Sequence, residues 1–412
     1  MTIFRNQTYL QKHRFLPRQI ATPPAADLGM LVVIPAHNEP SLLPTLESLE
    51  QVDSPPVGVE VIVMFNAGVH HNVAIHHQNE RSLEEAKQWT TEEERRWTYH
   101  FLLNNELPKK HAGVGLARKI GLDEAVDRLE QVERPEGLLV WLDADSLVQP
   151  NYLTAIWEAF QQQPKREAAS LDFAHPVAGE EHPAEVYAGI IRYELFLRYY
   201  IEGLRLAGYP YAFHTIGSSM VVRSSAYQKY GGMNRRKAGE DFYFLHKFIP
   251  QGQFAETHTT TVIPSPRPSD RVPFGTGKAI GDWLAGEQLA YPTYALATFQ
   301  ELRTFLNQVP QLYTEAPREL PPAIRAYLKA EGFTQKLAEF RKHVSSQDAF
   351  VKRLYQWFDG LKVLKYVHFA RDQFFGETEV LTAARALLQE VGEVPAEDPV
   401  KLLEQYRVRQ SR

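Results

Sequence analysis

The sequence predicts an α/β fold: a mostly parallel sheet flanked by helices, with a helical C-terminal extension. The first of three observations is Met30-Leu31-Val32-Val33-Ile34, a β-rich run. It is followed by Leu42, Leu46 and Leu49 at helical spacing and by a second β-rich run from Val57 to Phe65. Strand, helix and strand within about forty residues make a βαβ unit, whose strands must lie parallel. The second is Gly137-Leu138-Leu139-Val140-Trp141-Leu142, apolar without alternation, as suits a strand buried on both faces. The third is the remainder past residue 279. There Val363, Val367, Ala370 and Phe374 recur at helical spacing, and a further apolar face runs from Glu379 to Val391.

The bulk numbers narrow the class. A chain of 412 residues has room for two domains, or for one large domain with an appendage. Apolar residues at 44% and charged residues at 23% are those of a soluble globular protein. A net charge of −5 provides no basic field, so nucleic acid is not an expected partner. The absence of cysteine removes disulfides, thiolate metal sites and thiol nucleophiles. Met1 to Ile20 lacks the apolar core of a secretion signal, and no apolar run is long enough to span a bilayer. The cytoplasm is the expected compartment, with peripheral contact at the inner face of the membrane kept open.

Each element follows in turn. Residues 1–28 read as an irregular lead-in closed by Pro23-Pro24. Pro35 ends the first strand, and Ser41 to Gln51 is the first helix. His70 to Trp97 is polar and helical, an excursion whose His70, His71, His76 and His77 read as solvated surface. Tyr99 to Leu103 is a third strand. Gly113-Val114-Gly115 precedes a helix running to about Glu130, and a helix start beside glycines and cations suits an anion. Asn151 to Gln162 is a helix and Ala168 to Phe173 a strand. Ala184 to Leu206 is a long helix whose aromatics are mostly core. His214 to Arg223 is a loop entering a strand, Gly239-Glu240-Asp241 opens a helix, and Phe254 to Val262 is a strand. The proline- and glycine-rich stretch 264–278 is a linker, or a loop whose Arg267, Arg271 and Lys278 clamp a phosphate. The expected organisation is thus a lead-in (1–28), a sheet domain (29–263), this loop (264–278) and a helical region (279–412).

The chemistry concentrates at the end of the strand 137–142. In extended chain Asp143 and Asp145 would point to one side. Two close carboxylates repel unless a positive group lies between them, and a hard divalent cation carrying a phosphate is the natural one. Strand carboxyl ends are also where open α/β sheets bind ligands. The structural alternative is an Asx-rich turn.

The order of these pieces resembles the family 2 glycosyltransferases, of GT-A fold, over roughly residues 30–260. Val32-Val33-Ile34-Pro35-Ala36-His37-Asn38-Glu39 resembles the opening strand and nucleotide-contacting turn. Gly113 to Lys119 resembles the glycine–arginine segment, Asp143-Ala144-Asp145 the DxD motif and Gly239-Glu240-Asp241 the late acidic motif. The resemblance implies inverting transfer of a sugar from a nucleoside diphosphate sugar to an acceptor hydroxyl, with Mn²⁺ or Mg²⁺. The acceptor, whether a sugar, a lipid-linked group or a small molecule, is unspecified. On this reading Asp145 holds the metal, with Asp143 on ribose or metal, and Asp241 is the base, with Glu240 second. A carboxylate at a helix start stays ionised, as a base must. Pro35, Ala36 and Glu39 line the nucleotide, Arg118 holds ribose or phosphate, and Gly217 and Ser218 lie on the acceptor side. His258 is a third metal ligand or a structural histidine.

The departures also inform. The second strand ends in Met64-Phe65-Asn66-Ala67-Gly68 where the family usually has acidic residues, so Asn66 leaves the base open. Phe242-Tyr243-Phe244-Leu245-His246 stands where processive members carry Gln-x-x-Arg-Trp, which favours single addition. A non-catalytic nucleotide-sugar-binding or scaffolding protein on the same fold is the alternative. Asp145 and Asp241 together speak against it. A nucleotidyltransferase would carry a glycine-rich loop where Pro35 to Glu39 stands.

Overall fold

The computed structural model describes residues 7–271, 275–286 and 290–411. In chain order its first elements are α1 (Gln7–His13), β1 (Leu28–Ala36), α2 (Leu43–Glu50), β2 (Gly58–Gly68), α3 (Val73–Glu92), β3 (Thr98–Leu107) and α4 (Val114–Gln131). There follow β4 (Leu138–Trp141), β5 (Ser146–Val148), α5 (Tyr152–Gln162), β6 (Ala168–Phe173) and α6 (Ala184–Leu206). Then come β7 (Met220–Arg223), α7 (Ser224–Lys229), α8 (Glu240–Leu245) and β8 (Phe254–Pro264). The chain forms two compact units, Met1–Pro176 with Thr215–Lys278, and Val177–His214 with Ala279–Arg412.

The first unit is built on an eight-stranded sheet in the order β3-β2-β1-β4-β7-β6-β8-β5. β3, β2, β1 and β4 are mutually parallel, as the βαβ pattern requires. β7 runs antiparallel between β4 and β6, β6 and β8 are parallel, and β5 closes the far edge antiparallel to β8. The sheet is therefore mixed and mostly parallel, flanked by helices. Its central strands β1 and β4 are buried on both faces, all but Pro35 of β1, which is why they read as apolar runs without alternation. Met30, Val32, Ile34, Val61, Val63 and Val140 pack on one face with Leu46, Leu49 and Phe160 of the helices. Against this frame the carboxyl ends of β1, β2 and β4 come out at one edge.

Several elements depart from the reading of the sequence. β1 continues through Pro35, pairing it with Met64 of β2. β4 is paired with β1 only as far as Val33, so the missing proline N–H costs no ladder bond on that side. The lead-in holds a helix, α1, and is tied to α4: Tyr9 donates to Asp123 at 2.9 Å, and Arg14 and Arg18 both reach Asp127. Among the four histidines only His70 and His77 are exposed. His71 and His76 fold back on the end of β2, where His71 Nδ1 accepts from Gly68 N–H and His76 Nε2 donates to the Gly68 carbonyl, each at 3.1 Å.

The second unit takes α6 out of the sheet-forming part of the chain. Its other helices among the described residues include most of Thr276–Leu284, then Leu296–Leu306, Pro322–Ala330, Phe333–Lys342, Gln347–Trp357, Gly360–Ala370, Val380–Glu390 and Pro399–Gln410, with a short antiparallel pair between Pro292–Tyr294 and Glu377–Glu379. Leu195 and Tyr199 of α6 are fully buried with Phe299, Phe305, Tyr366, Leu387 and Tyr406 in one core. The helix rich in aromatics, expected within residues 29–263, thus joins the core of the C-terminal region. No helix among the described residues is long and apolar enough to cross a membrane.

Candidate active site

The site is assembled where β1, β4, α4 and α8 end or begin. β4 stops at Trp141, and the backbone then turns, with Ser146 N–H donating to the Asp143 carbonyl at 3.1 Å. The side-by-side placement expected of extended chain is therefore replaced by a turn. Thr45 Oγ1 of α2 pins that turn by donating to the Ala144 carbonyl at 3.0 Å. The turn sends the two carboxylates to different partners.

Asp143 meets Arg118. This arginine lies in the first turns of α4, and its guanidinium bonds Asp143 through Nη2 and Glu240 through Nη1. Glycines make the junction possible. A Cβ on Gly217 would lie 2.6 Å from Arg118 Nη1, and one on Gly115 would lie 2.3 Å from the Arg236 carbonyl in the stretch leading to α8. Arg118 and Glu240 are almost completely buried, whereas the Asp143 side chain is 38% exposed. Burial works against the arginine's charge, but Asp143, Glu240 and Asp241 outweigh it and hold Arg118 above its ordinary value. Arg118 is thus held by two protein carboxylates, and its buried Nε has no hydrogen-bond partner among the described residues.

Asp241 stands beside this bridge on α8. Its carboxyl is pushed up to about 7, first by burial and then by the charge of Glu240, with Arg118 opposing. Burial and Glu240 thus act against the helix-start argument for an ionised Asp241, and α8 has only 6 residues to supply a dipole.

Asp145 meets the loop after β8. Arg271 Nη2 donates to its Oδ2 at 2.9 Å, and Arg267 lies 3.6 Å from the same oxygen. Both arginines also hold Glu39, which is buried: Arg267 Nη2 reaches its two oxygens at 3.0 and 2.7 Å, and Arg271 Nη1 reaches Oε2. Burial raises the Asp145 carboxyl; Arg271 and Arg267 lower it, and Asp143 and Glu39 raise it further. These arginines are the residues that sequence reasoning left outside the site, although the basic content of 264–278 pointed to them.

The remaining expected residues divide. Pro35 and Ala36 end β1, and Asn66 lies near the end of β2 with its side-chain Oδ1 buried and without a hydrogen-bond partner. His37 covers this corner, donating from Nδ1 to the Asn66 carbonyl at 2.6 Å, with its ring centroid 4.9 Å from that of His71 and the planes tilted by 55°. Ser218 is buried with its hydroxyl 3.5 Å from that of Ser219, so it faces inward. His258 is not brought to the acidic pair: its Nδ1 lies 2.9 Å from Asp172 Oδ1, across the β6–β8 pairing. Among the described residues no three His, Asp or Glu side chains are grouped as a protein-only metal site would need.

Residues 31–231 match the family model described as Glycosyl transferase family 2. The chain carries a family 2 glycosyltransferase domain. Among solved structures the glycosyltransferase is similar to S. aureus TarS 1-349 in complex with UDP-GlcNAc, at 12% identity and a TM-score of 0.40, over 93% of each chain. It is also similar to the mannosyltransferase PcManGT from Pyrobaculum calidifontis in complex with GDP-Man and Mn²⁺, at 14% identity and a TM-score of 0.36. That likeness covers 98% of this chain and 91% of the other. No curated protein matches the glycosyltransferase.

Proposed function

We propose that the enzyme transfers one sugar, with inversion, from a nucleoside diphosphate sugar to an acceptor hydroxyl. The observation that carries this reading is the bridge from Asp143 through Arg118 to Glu240, with Asp241 beside it, because it joins the DxD-like turn to the late acidic motif. Pro35, Ala36 and Asn66 line the nucleotide, with the buried Glu39 behind them holding Arg267 and Arg271, and the Asn66 Oδ1, unpartnered among the described residues, suits an N–H of the base.

The donor set fits a divalent cation. Asp143 and Asp145 offer hard oxygens, Mg²⁺ or Mn²⁺ needs only one or two carboxylates beside the phosphates, and a guanidinium already stands at Asp145 Oδ2. When bound, the ion would neutralise charge developing on the departing diphosphate. Asp241 takes the proton of the acceptor hydroxyl as the new C–O bond forms. The bond from the anomeric carbon to the diphosphate breaks, and its electron pair leaves with the phosphate oxygen. A base poised near neutrality is matched to this task. Arg118 is the positioning residue, fixing Glu240 and Asp143 around it.

The test is a screen of UDP, GDP, CDP and dTDP sugars for donor hydrolysis with and without Mn²⁺, repeated on Asp145→Asn and Asp241→Asn. Turnover of one donor class, lost in both variants, is expected. Turnover that survives both substitutions would overturn the assignment.

A further inference from the structure

Two arginines and two carboxylates form a closed cluster at the end of β1. Glu39 is its anchor: fully buried, it accepts from Arg267, Arg271 and the Ser41 N–H, while its carbonyl accepts from Ser82 Oγ at 2.6 Å. Three side-chain partners hold Arg271, whose Nη1 also lies 3.5 Å from the His37 carbonyl. Its Nε donates to Ser269 Oγ at 2.8 Å, its Nη1 to Glu39 and its Nη2 to Asp145 at 2.9 Å. Two of the three involve groups that need not move when a ligand arrives. The third occupies the oxygen that a metal would need. A guanidinium on Asp145 Oδ2 takes one of the carboxylate's lone pairs and repels a divalent cation approaching the same group, since both are positive.

We propose that Arg271, assisted by Arg267, is the group that grips the donor's diphosphate, and that in the ligand-free chain it holds the cation's place at Asp145. This rests on the metal-dependent reading above. The exchange conserves charge pairing throughout. The ion replaces the Nη2 contact at Asp145, and the freed face of the guanidinium meets a phosphate oxygen, while Glu39 and Ser269 keep the arginine in place. Planar guanidinium groups suit phosphate oxygens for the same geometric reason that they suit carboxylates. Metal alone must displace Arg271 without compensation, so it binds weakly. Metal with nucleotide gives the arginine a new partner, so the two bind cooperatively and reciprocally.

The test uses the full chain, with Mn²⁺ binding read by electron paramagnetic resonance and binding of UDP, GDP, CDP and dTDP read by calorimetry. In Arg271→Gln, Mn²⁺ alone is expected to bind about tenfold tighter, whereas the nucleoside diphosphate with Mn²⁺ binds about tenfold weaker or worse. Arg267→Gln shows the same loss for the nucleotide with a smaller gain for the metal. Arg271→Lys, which keeps the charge and the fold but lacks the fork, falls between. Asp145→Asn separates the failures. Should Mn²⁺ binding depend on Asp145 while Arg271→Gln leaves it unchanged or weaker, the place-holding role is overturned and the metal reading stands. Should the wild type bind no Mn²⁺ even with nucleotide, the metal reading falls and the place-holding role with it. Unaltered nucleotide affinity in both arginine variants would overturn the grip, as would a wild type that binds none of the four nucleotides.

Discussion

Arg118 spans two acidic motifs that are far apart in sequence: one guanidinium nitrogen reaches Asp143 at the end of β4 and the other reaches Glu240 at the start of α8. Both Arg118 and Glu240 are buried, so neither can turn to water if the other is removed. Breaking a buried pair by deleting one partner typically costs about 3–5 kcal/mol. Arg118→Gln is therefore expected to lower the unfolding free energy read from urea denaturation by that order, with a lower midpoint, and to abolish transfer. Arg118→Lys should recover part of the stability but little activity, since one ammonium cannot reach both carboxylates. A midpoint unchanged in Arg118→Gln would show that the bridge contributes nothing to the fold.

Gly217 tests the same bridge from the other side. A methyl group there would stand 2.6 Å from Arg118 Nη1, inside van der Waals contact. The guanidinium would have to shift, and the protein is too tightly packed to absorb it freely. Gly217→Ala should cost about 1–3 kcal/mol, with a fall in kcat larger than any rise in KM. Wild-type stability and activity in this variant would mean that the loop carrying Gly217 can retreat.

Much of this arrangement was legible in the sequence, and the part that was not has a common cause. β1, β2 and β4 announce themselves as apolar runs, because a strand buried on both faces is mostly apolar; the buried exceptions in β2 are Glu60, paired with Arg128, and Asn66. β6 and α6 were bounded by the same kind of local signal, and the two acidic motifs stood out by type and order. Which carboxylate pairs with which arginine is settled by tertiary approach over separations of 126 and 228 residues, to which no local period responds. The fate of α6 was hidden likewise: its aromatic faces declare burial without saying which core receives them. The ionisation of Asp241 was hidden because the helix dipole is a local feature visible in sequence, whereas burial by the surrounding fold, which raises this carboxyl together with the charge of Glu240, is not.

The raised Asp241 carboxyl sets a pH dependence. The group must be ionised to accept a proton, and burial with its acidic neighbours keeps it protonated to about pH 7. kcat/KM should therefore fall about tenfold for each pH unit below this value and level off above it. Stability moves the other way. The folded chain holds this proton more tightly than the unfolded chain, so the group's contribution declines as pH rises from the ordinary aspartate range to about 7, then stays constant. A pH–rate profile that is flat from pH 5 to 8 would remove Asp241 as the base.

The second unit provides a prediction independent of the chemistry. Glu194 of α6 is fully buried and accepts from Arg198 on its own helix and from Arg407 on the helix Pro399–Gln410. Glu194→Gln leaves two guanidinium groups facing a neutral amide, so the last helix should detach early. Faster hydrogen exchange over Pro399–Gln410 and a loss of about 3–5 kcal/mol are expected. Exchange there at the wild-type rate would show that apolar packing alone holds the helix.

Glu240 and Asp241 are neighbours in sequence with opposite roles, and substitution should separate them. Among the described residues Asp241 makes no ion pair, and burial disfavours its charge, so Asp241→Asn relieves desolvation while removing the proposed base. Its melting temperature at pH 8 should equal or exceed that of the wild type, while kcat falls about 10²–10⁴-fold and nucleotide affinity is kept. Glu240 is the buried partner of Arg118, so Glu240→Gln should lose stability first and activity as a consequence. The pair of melting curves decides the assignment: if Glu240→Gln were stable and inactive while Asp241→Asn were active, the base would be Glu240, and Asp241 would be a bystander carrying the charge that Arg118 cannot fully neutralise.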